Sequence, residues 1–72
     1  MQFSRTSLAD AMVIDMQRNE DSRGFFARTF CVKEFADHGL VTEFVQGNHS
    51  YNRRKGTVRG MHFQTAPHGE VK

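Results

Sequence analysis

The chain has 72 residues, 38% of them hydrophobic, so it can form one small domain or part of one. Its one cysteine, Cys31, excludes an internal disulfide and favours a reducing compartment. No apolar run is long enough for a membrane-spanning helix, and no basic stretch with an apolar core opens the sequence, so we expect a cytoplasmic protein with no membrane partner. The net charge of +2 suits an anionic small molecule better than a nucleic acid.

The first predicted elements are two strands separated by a polar turn. Apolar runs over residues 11–16 and 25–30 are typical of short strands. Between them, Asp21-Ser22-Arg23-Gly24 combines residue types that favour a tight turn. The two runs are therefore expected to pair as a hairpin.

A short helix is predicted next, over residues 31–38. Val32, Phe35 and Ala36 recur there at helical spacing. Gly39 follows at the position where a left-handed residue commonly ends a helix. The helix should therefore be about two turns long.

The second half predicts further strands, over residues 41–46 and 57–64, with a polar basic loop between them. After a turn, residues 70–72 read as the start of another strand whose partners the sequence does not contain. Natural domains usually cover or blunt such an unpaired edge. We therefore expect a mainly β fold with one short helix, in which residues 1–72 are the amino-terminal part of a single domain truncated after Lys72.

The candidate for proton transfer is His62, in the middle of the last predicted strand. An imidazole titrates near neutral pH and is the readiest general base there. The alternative interpretation, which the residues alone favour, is a half-buried histidine with a satisfied hydrogen bond.

Other polar residues could bind a substrate. Lys72 could stabilise a developing oxyanion, although a lysine at this place is usually solvated. Gln46 and Asn48 are two residues apart, so on a strand both amides would share one face and could bind a sugar or a base. Such a pair more often ends a strand and opens a turn.

Positive charge is available for a diphosphate, since arginine suits bidentate contact with phosphate. It comes from Arg23, Arg28, Arg53, Arg54, Lys55 and Arg59. The consecutive triplet at 53–55 is better interpreted as a solvated loop. His62 and His68, with His49, lack a standard zinc spacing, so no metal site is predicted.

Four stretches in order resemble the amino-terminal part of the dTDP-4-dehydrorhamnose 3,5-epimerase family. No single stretch is decisive, but together they cover nearly the whole chain in register. They are Asp21-Ser22-Arg23-Gly24-Phe25-Phe26, then Phe44-Val45-Gln46-Gly47-Asn48-His49-Ser50, then Gly56-Thr57-Val58-Arg59-Gly60-Met61-His62-Phe63-Gln64, and Pro67-His68-Gly69-Glu70-Val71-Lys72.

The resemblance implies a cupin-type jelly roll, of which this chain would hold the first strands and one short helix. It implies an isomerase of dTDP-rhamnose biosynthesis that works as a homodimer with exchanged amino-terminal strands and needs no metal or organic cofactor. The reaction removes a proton next to the C4 ketone of a dTDP-4-keto-6-deoxy sugar and returns it on the opposite face. Inversion at C3, at C5 or at both remains open.

The resemblance also assigns roles to individual residues. The position of His62 is the family's base, and the position of Lys72 stabilises the enolate oxygen. Substrate and nucleotide binding falls to the positions of Arg23, Phe26, Gln46, Asn48 and Arg59.

Two departures from the family bear on function. Arg28 stands where the family often has glutamate, which would alter a substrate contact. The acid that orients the base and the tyrosine that returns the proton belong to the family's later half, so we expect the chain alone to be inactive.

The spacing of Arg59 and His62 raises a geometric question. They are three apart, so a regular strand would direct them to opposite faces. A bulge at Gly60 would bring both to one site.

Two alternative functions compete with the epimerase. One is a non-catalytic cupin-like binding or interaction module. The other is a small nucleic-acid binder, which the scattered basic residues and the absence of an aromatic stacking platform disfavour.

Overall fold

The computed structural model describes all 72 residues and contains four short strands followed by one helix. The elements are β1 Gln2–Arg5, β2 Met12–Asp15, β3 Arg18–Asp21, β4 Gly24–Ala27 and α1 Val32–Asp37. This confirms a mainly β fold with one short helix, while the jelly-roll arrangement stays a prediction. The chain divides into two compact units, Met1–Thr42 and Glu43–Lys72, and all five elements lie in the first. No helix has the length and apolar character that crossing a membrane would require.

The strands form two separate antiparallel hairpins. β1 pairs with β2, placing Phe3 opposite Ile14, and β3 pairs with β4, placing Asn19 opposite Phe26. The predicted hairpin between residues 11–16 and 25–30 is therefore wrong, although each run does contain a strand. The reason is β3, whose four residues are all polar and exposed and so give no apolar alternation. Lying between the two runs, β3 takes β4 as its partner.

The predicted turn at residues 21–24 is confirmed as the tight connection of the second hairpin. The Asp21 carboxylate accepts a hydrogen bond from the backbone N–H of Arg23 at 2.8 Å, as aspartate commonly does in turns. Gly24 has φ +130°, a conformation that residues with a Cβ rarely adopt. The turn thus depends on the Asp21 carboxylate at its first position and on glycine, which has no Cβ, at its last position, Gly24.

Helix α1 confirms the predicted helix to within a residue at each end. Gly39 follows it with φ +69° and donates its N–H to the Ala36 carbonyl at 3.0 Å. The Leu40 N–H donates to the Phe35 carbonyl at 3.0 Å, so the last turn is closed by backbone bonds. The helix therefore ends where the glycine allows the left-handed turn.

Phe35 is the centre of the small core of the first unit and its one buried side chain, 9% exposed. Its ring meets the edges or faces of Phe3 and Phe30, with centroid distances of 5.8 and 4.8 Å. The His38 ring stacks on Phe3 at 3.8 Å. These contacts join β1, the segment after β4 and α1.

The second unit contains no helix or strand, and neither do residues 41 and 42 before it, so the strands predicted over residues 41–46 and 57–64 are wrong for this chain. Its backbone bonds are local turns, such as that from the His68 N–H to the Thr65 carbonyl at 2.8 Å. Large apolar side chains, including Val45, Val58 and Met61, are almost fully exposed. A strand is stabilised by partner strands and a covered face, and no segment of this chain supplies them.

Candidate functional site

The residues predicted to bind substrate or move a proton are distributed over both units. Arg23 and Phe26 belong to the first unit. The others are in the second unit, where every residue is exposed: Gln46, Asn48, Arg59, His62 and Lys72.

In the first unit, the tight turn and β4 line an open cavity of about 220 Å³. Its walls are Asp21, Arg23, Gly24, Phe25 and Phe26. The Phe26 ring is 73% exposed, which makes it an open apolar surface at this cavity. An aromatic face beside a guanidinium can receive a planar ring and a negatively charged group.

The charge of Arg23 is held in place by Asp21. Its Nη2 lies 2.6 Å from Asp21 Oδ2, and its Nε also donates to that oxygen at 3.2 Å. The hydrogen-bonded side chains raise the pKa of Arg23 and lower the pKa of Asp21. The sequence pattern predicts Asp21 only as a turn residue. Its place two residues before Arg23 in a tight turn is the signal that could have indicated the ion pair.

Phe25 is occupied differently from Phe26. The Arg18 guanidinium carbon lies 4.6 Å from the centre of the Phe25 ring, a cation–π contact across the hairpin. Because successive strand residues point to opposite faces, Phe25 and Phe26 lie on different faces of the hairpin. Phe26, 73% exposed against 55% for Phe25, is therefore the more open of the two rings.

The two amides of the second unit lie side by side. Asn48 Nδ2 donates to Gln46 Oε1 at 3.3 Å. An extended backbone places residues two apart on one side, which is enough to bring the amides together without a paired strand. The remaining amide donors and acceptors face solvent, where they could bind a sugar or a base.

The backbone turns at Gly60, the position where the sequence predicted a bulge, although residues 57–64 form no strand here. Gly60 has φ +84°, which favours glycine. A Cβ at Gly60 would lie 3.5 Å from His62 Nδ1, which is an ordinary van der Waals contact. The backbone conformation, and not the space around it, therefore favours glycine at this position.

Lys72 forms an ion pair with Glu70, Nζ to Oε1 at 2.9 Å. Both side chains are exposed, so the pair contributes little to stability. The ammonium nonetheless keeps donors that can reach an oxyanion.

No group of three histidine, cysteine, aspartate or glutamate side chains is arranged to hold a metal ion. His49, His62 and His68 are all exposed residues of the second unit.

Arg28, which departs from the family pattern, is bound within the first unit. Its Nη1 donates to Glu34 Oε2 at 3.0 Å, and the ammonium of Met1 donates to Glu34 Oε1 at 3.1 Å. Hydrogen bonds from Arg28 and then from Met1 lower the pKa of Glu34 from 4.5 to about 2. Glu34 thereby links three parts of the chain, namely the start of β1, the segment after β4, and α1.

Acid should loosen the first unit through this carboxylate. The folded-state pKa of Glu34 is about 2, below its ordinary 4.5. Its contribution to the free energy of unfolding is therefore fully present above pH ~4.5 and is lost as the pH falls towards ~2. We expect the melting temperature, followed by circular dichroism, to decline over that window.

The matched variant for this pH dependence is Glu34→Gln, which keeps the side-chain size but does not ionise. The melting temperature of Glu34→Gln should decline less steeply with acid than that of the parent chain. The melting temperature of Asp21→Asn should still show the part of the acid-induced decline that Glu34 causes. An acid profile of Glu34→Gln that parallels the parent profile would contradict this assignment.

Comparison with known proteins identifies the family. The model of the family described as dTDP-4-dehydrorhamnose 3,5-epimerase matches residues 5–72. The protein of that name from Methanothermobacter thermautotrophicus is 41% identical over 70 residues, covering 96% of this chain and 37% of the relative. That from Shigella flexneri is 37% identical over 73 residues, covering 100% of this chain and 40% of the relative.

A third relative, from Sinorhizobium fredii, is 36% identical over 72 residues, 100% of this chain and 37% of its own length. The chain thus spans about two-fifths of the length of the curated relatives it matches. No solved structure matches it significantly. The resemblance found in the motifs is confirmed, and the chain belongs to the dTDP-4-dehydrorhamnose 3,5-epimerase family.

Proposed function

We propose that this chain supplies the base and part of the substrate-binding surface of an epimerase acting on a dTDP-4-keto-6-deoxy sugar. The observation that carries the proposal is the family match over residues 5–72, which includes His62 and Lys72. The relatives are named for the 3,5-epimerisation of dTDP-4-dehydrorhamnose. This makes the chain part of an isomerase of dTDP-rhamnose formation.

In the proposed reaction, His62 removes a proton from the carbon next to the C4 ketone. The C–H electron pair becomes the enolate π bond, and the carbonyl oxygen takes up the negative charge. The Lys72 ammonium stabilises that oxygen by charge and hydrogen bonding. A proton returned to the opposite face inverts the carbon. The step requires neither a metal nor an organic cofactor, because a nearby cation is enough to make such a proton removable.

The substrate-binding roles follow from chemistry. Arg23 is proposed to meet the diphosphate and Phe26 to contact a ring of the nucleotide, since the two line one cavity. Gln46 and Asn48, which lie side by side, would bind polar groups of the sugar or base. Arg59 would add charge for the diphosphate.

We further propose a homodimer with exchanged amino-terminal strands, within a jelly roll. The exposed apolar side chains support it, because large exposed apolar surfaces mark interaction sites. Val45 and Met61, both almost fully exposed, would be covered by partner strands. The single thiol suits the cytoplasm as the place of action.

A second candidate function is a non-catalytic binding module. The observation that favours it is His62, which is exposed in a unit without regular secondary structure. A base that no neighbouring acid orients retains little of its catalytic effect. On this ground we expect no turnover from the chain alone.

A chimera tests the proposed function. Residues 1–72 would replace the matching segment of the M. thermautotrophicus relative, which is 41% identical. We expect the chimera to incorporate deuterium from D2O next to the ketone of a dTDP-4-keto-6-deoxy sugar, and the chain alone to incorporate none. Sedimentation equilibrium of the chimera would report the dimer.

The controls are the unmodified relative incubated with the same sugar and the chimera incubated without it. A chimera that melts cooperatively and binds dTDP, yet exchanges no deuterium, would refute the epimerase and support the binding module.

A further inference from the structure

The Glu34 carboxylate joins Met1 and Arg28 to α1 by charged hydrogen bonds. Among the regular elements, close backbone neighbours occur only within each hairpin, while β1 meets α1 through the Phe3 and Phe35 rings. The β3–β4 hairpin is joined to the rest of the unit at both ends, through residues 16–17 before β3 and through the segment that follows β4. The side-chain contacts of that segment include the Arg28–Glu34 ion pair and the Phe30–Phe35 ring contact.

These two contacts differ in their chemistry. Phe30 and Phe35 are part of the small core, and apolar contact is non-directional. Arg28 and Glu34 form a charged hydrogen bond of 3.0 Å, and Glu34 is 28% exposed against 61% for Arg28. It is one hydrogen bond, from Nη1 to Oε2, so it limits the distance between Arg28 and α1. The pair therefore links the end of β4 to α1.

The position of the exposed Phe26 ring depends on the link between Arg28 and Glu34. Phe26 and Arg28 are two residues apart, so an extended backbone places them on the same side. Phe26 also lines the cavity with Arg23 at the other end of β4. Moving the end of β4 would move the aromatic surface and the guanidinium together.

We propose that Glu34 is a positioning residue for substrate binding: by holding Arg28 and the Met1 ammonium, it fixes the β3–β4 hairpin and with it Phe26 and Arg23. The inference rests on the proposed function for the identity of the substrate. Glu34 itself does not line the cavity. Arg28 is accordingly part of this support, with its guanidinium directed to Glu34.

The first arm of the test measures the hairpin in the chain itself. Amide dipolar couplings from NMR should fit one common alignment for β3, β4 and α1 in the parent chain. In Glu34→Gln the hairpin couplings should no longer fit the alignment of α1. Lys33→Gln removes another charge from the same helix, one paired with Asp37 on the exposed surface, and should leave the common fit intact.

The second arm measures catalysis in the chimera. We expect Glu34→Gln to raise KM ~3–10-fold while kcat changes less than about twofold, because only binding depends on the hairpin. Arg28→Lys keeps the ion pair and should retain a KM near that of the parent, whereas Arg28→Gln should behave like Glu34→Gln. A merely structural residue would lower the melting temperature without this split.

The outcomes separate the two proposals. A hairpin that keeps its alignment in both Glu34→Gln and Arg28→Gln, or a KM that rises no more than in Lys33→Gln, would overturn the positioning role. Should Glu34→Gln fail to fold, Arg28→Gln decides, since it leaves the Met1–Glu34 contact in place. A parent chimera without activity would count against the epimerase, while the NMR arm would still decide the role of Glu34 in placing the hairpin.

Discussion

Replacing His62 with alanine should reduce deuterium exchange by ~10²–10⁴-fold, the usual contribution of a positioned general base. The experiment uses the chimera that carries residues 1–72, with a dTDP-4-keto-6-deoxy sugar in D2O. Exchange is the sharper readout, because it reports removal of the proton even when its return is slow. Binding of dTDP should change little, since the imidazole acts on the sugar carbon.

The matched control for His62 is His49→Ala. Both histidines are exposed residues of the second unit, so the two substitutions remove the same group from similar surroundings. We expect His49→Ala to exchange within about twofold of the parent. Exchange by His62→Ala at the parent rate, or an equal loss in both variants, would show that the base lies elsewhere.

Local signals in the sequence were enough to predict the helix and the tight turn. The helical spacing of Val32 and Phe35, with Gly39 after them, involves residues within two turns of one another. The turn at residues 21–24 likewise depends on its own Asp21 and Gly24. Where the stabilising groups are sequence neighbours, pattern and structure agree.

Strand pairing could not be predicted in the same way, because a strand depends on partners elsewhere in the chain. Residues 41–46 and 57–64 have the composition of strands but form no strand in this chain. β3 has no apolar residue, yet it forms a strand because the turn brings β4 beside it. The composition of a segment therefore indicates its side-chain pattern but does not indicate whether a partner strand lies beside it.

The candidate site shows the same division. The motifs predict which residues carry the chemistry, and those roles stay predictions. The ion pairs around them were not predicted, since Glu34 lies six residues from Arg28 and thirty-three from Met1. The tertiary structure determines which of these charged groups lie close together, and the spacing of residues in the sequence does not reveal it.

Replacing Phe35 with alanine should unfold the first unit. Removing a buried phenylalanine costs ~3–5 kcal/mol, and small domains are stable by only ~5–15 kcal/mol in total. Phe35 is 9% exposed and contacts both Phe3 and Phe30, so its loss leaves the core without a centre. No other buried side chain exists to compensate. The thermal melt followed by circular dichroism should lose its cooperative transition or shift far down in temperature.

Phe63→Ala provides the control, because the Phe63 ring is 81% exposed in the second unit. It removes the same atoms but little buried contact, and the expected change is within ~0.5 kcal/mol. NMR should show the ring-shifted signals of Phe3 and Phe30 collapse in Phe35→Ala and persist in Phe63→Ala, because those shifts require rings fixed against one another. A Phe35→Ala chain that melts like the parent, or a Phe63→Ala chain that melts equally low, would mean that the ring cluster at Phe35 is not what holds the hairpins to the helix.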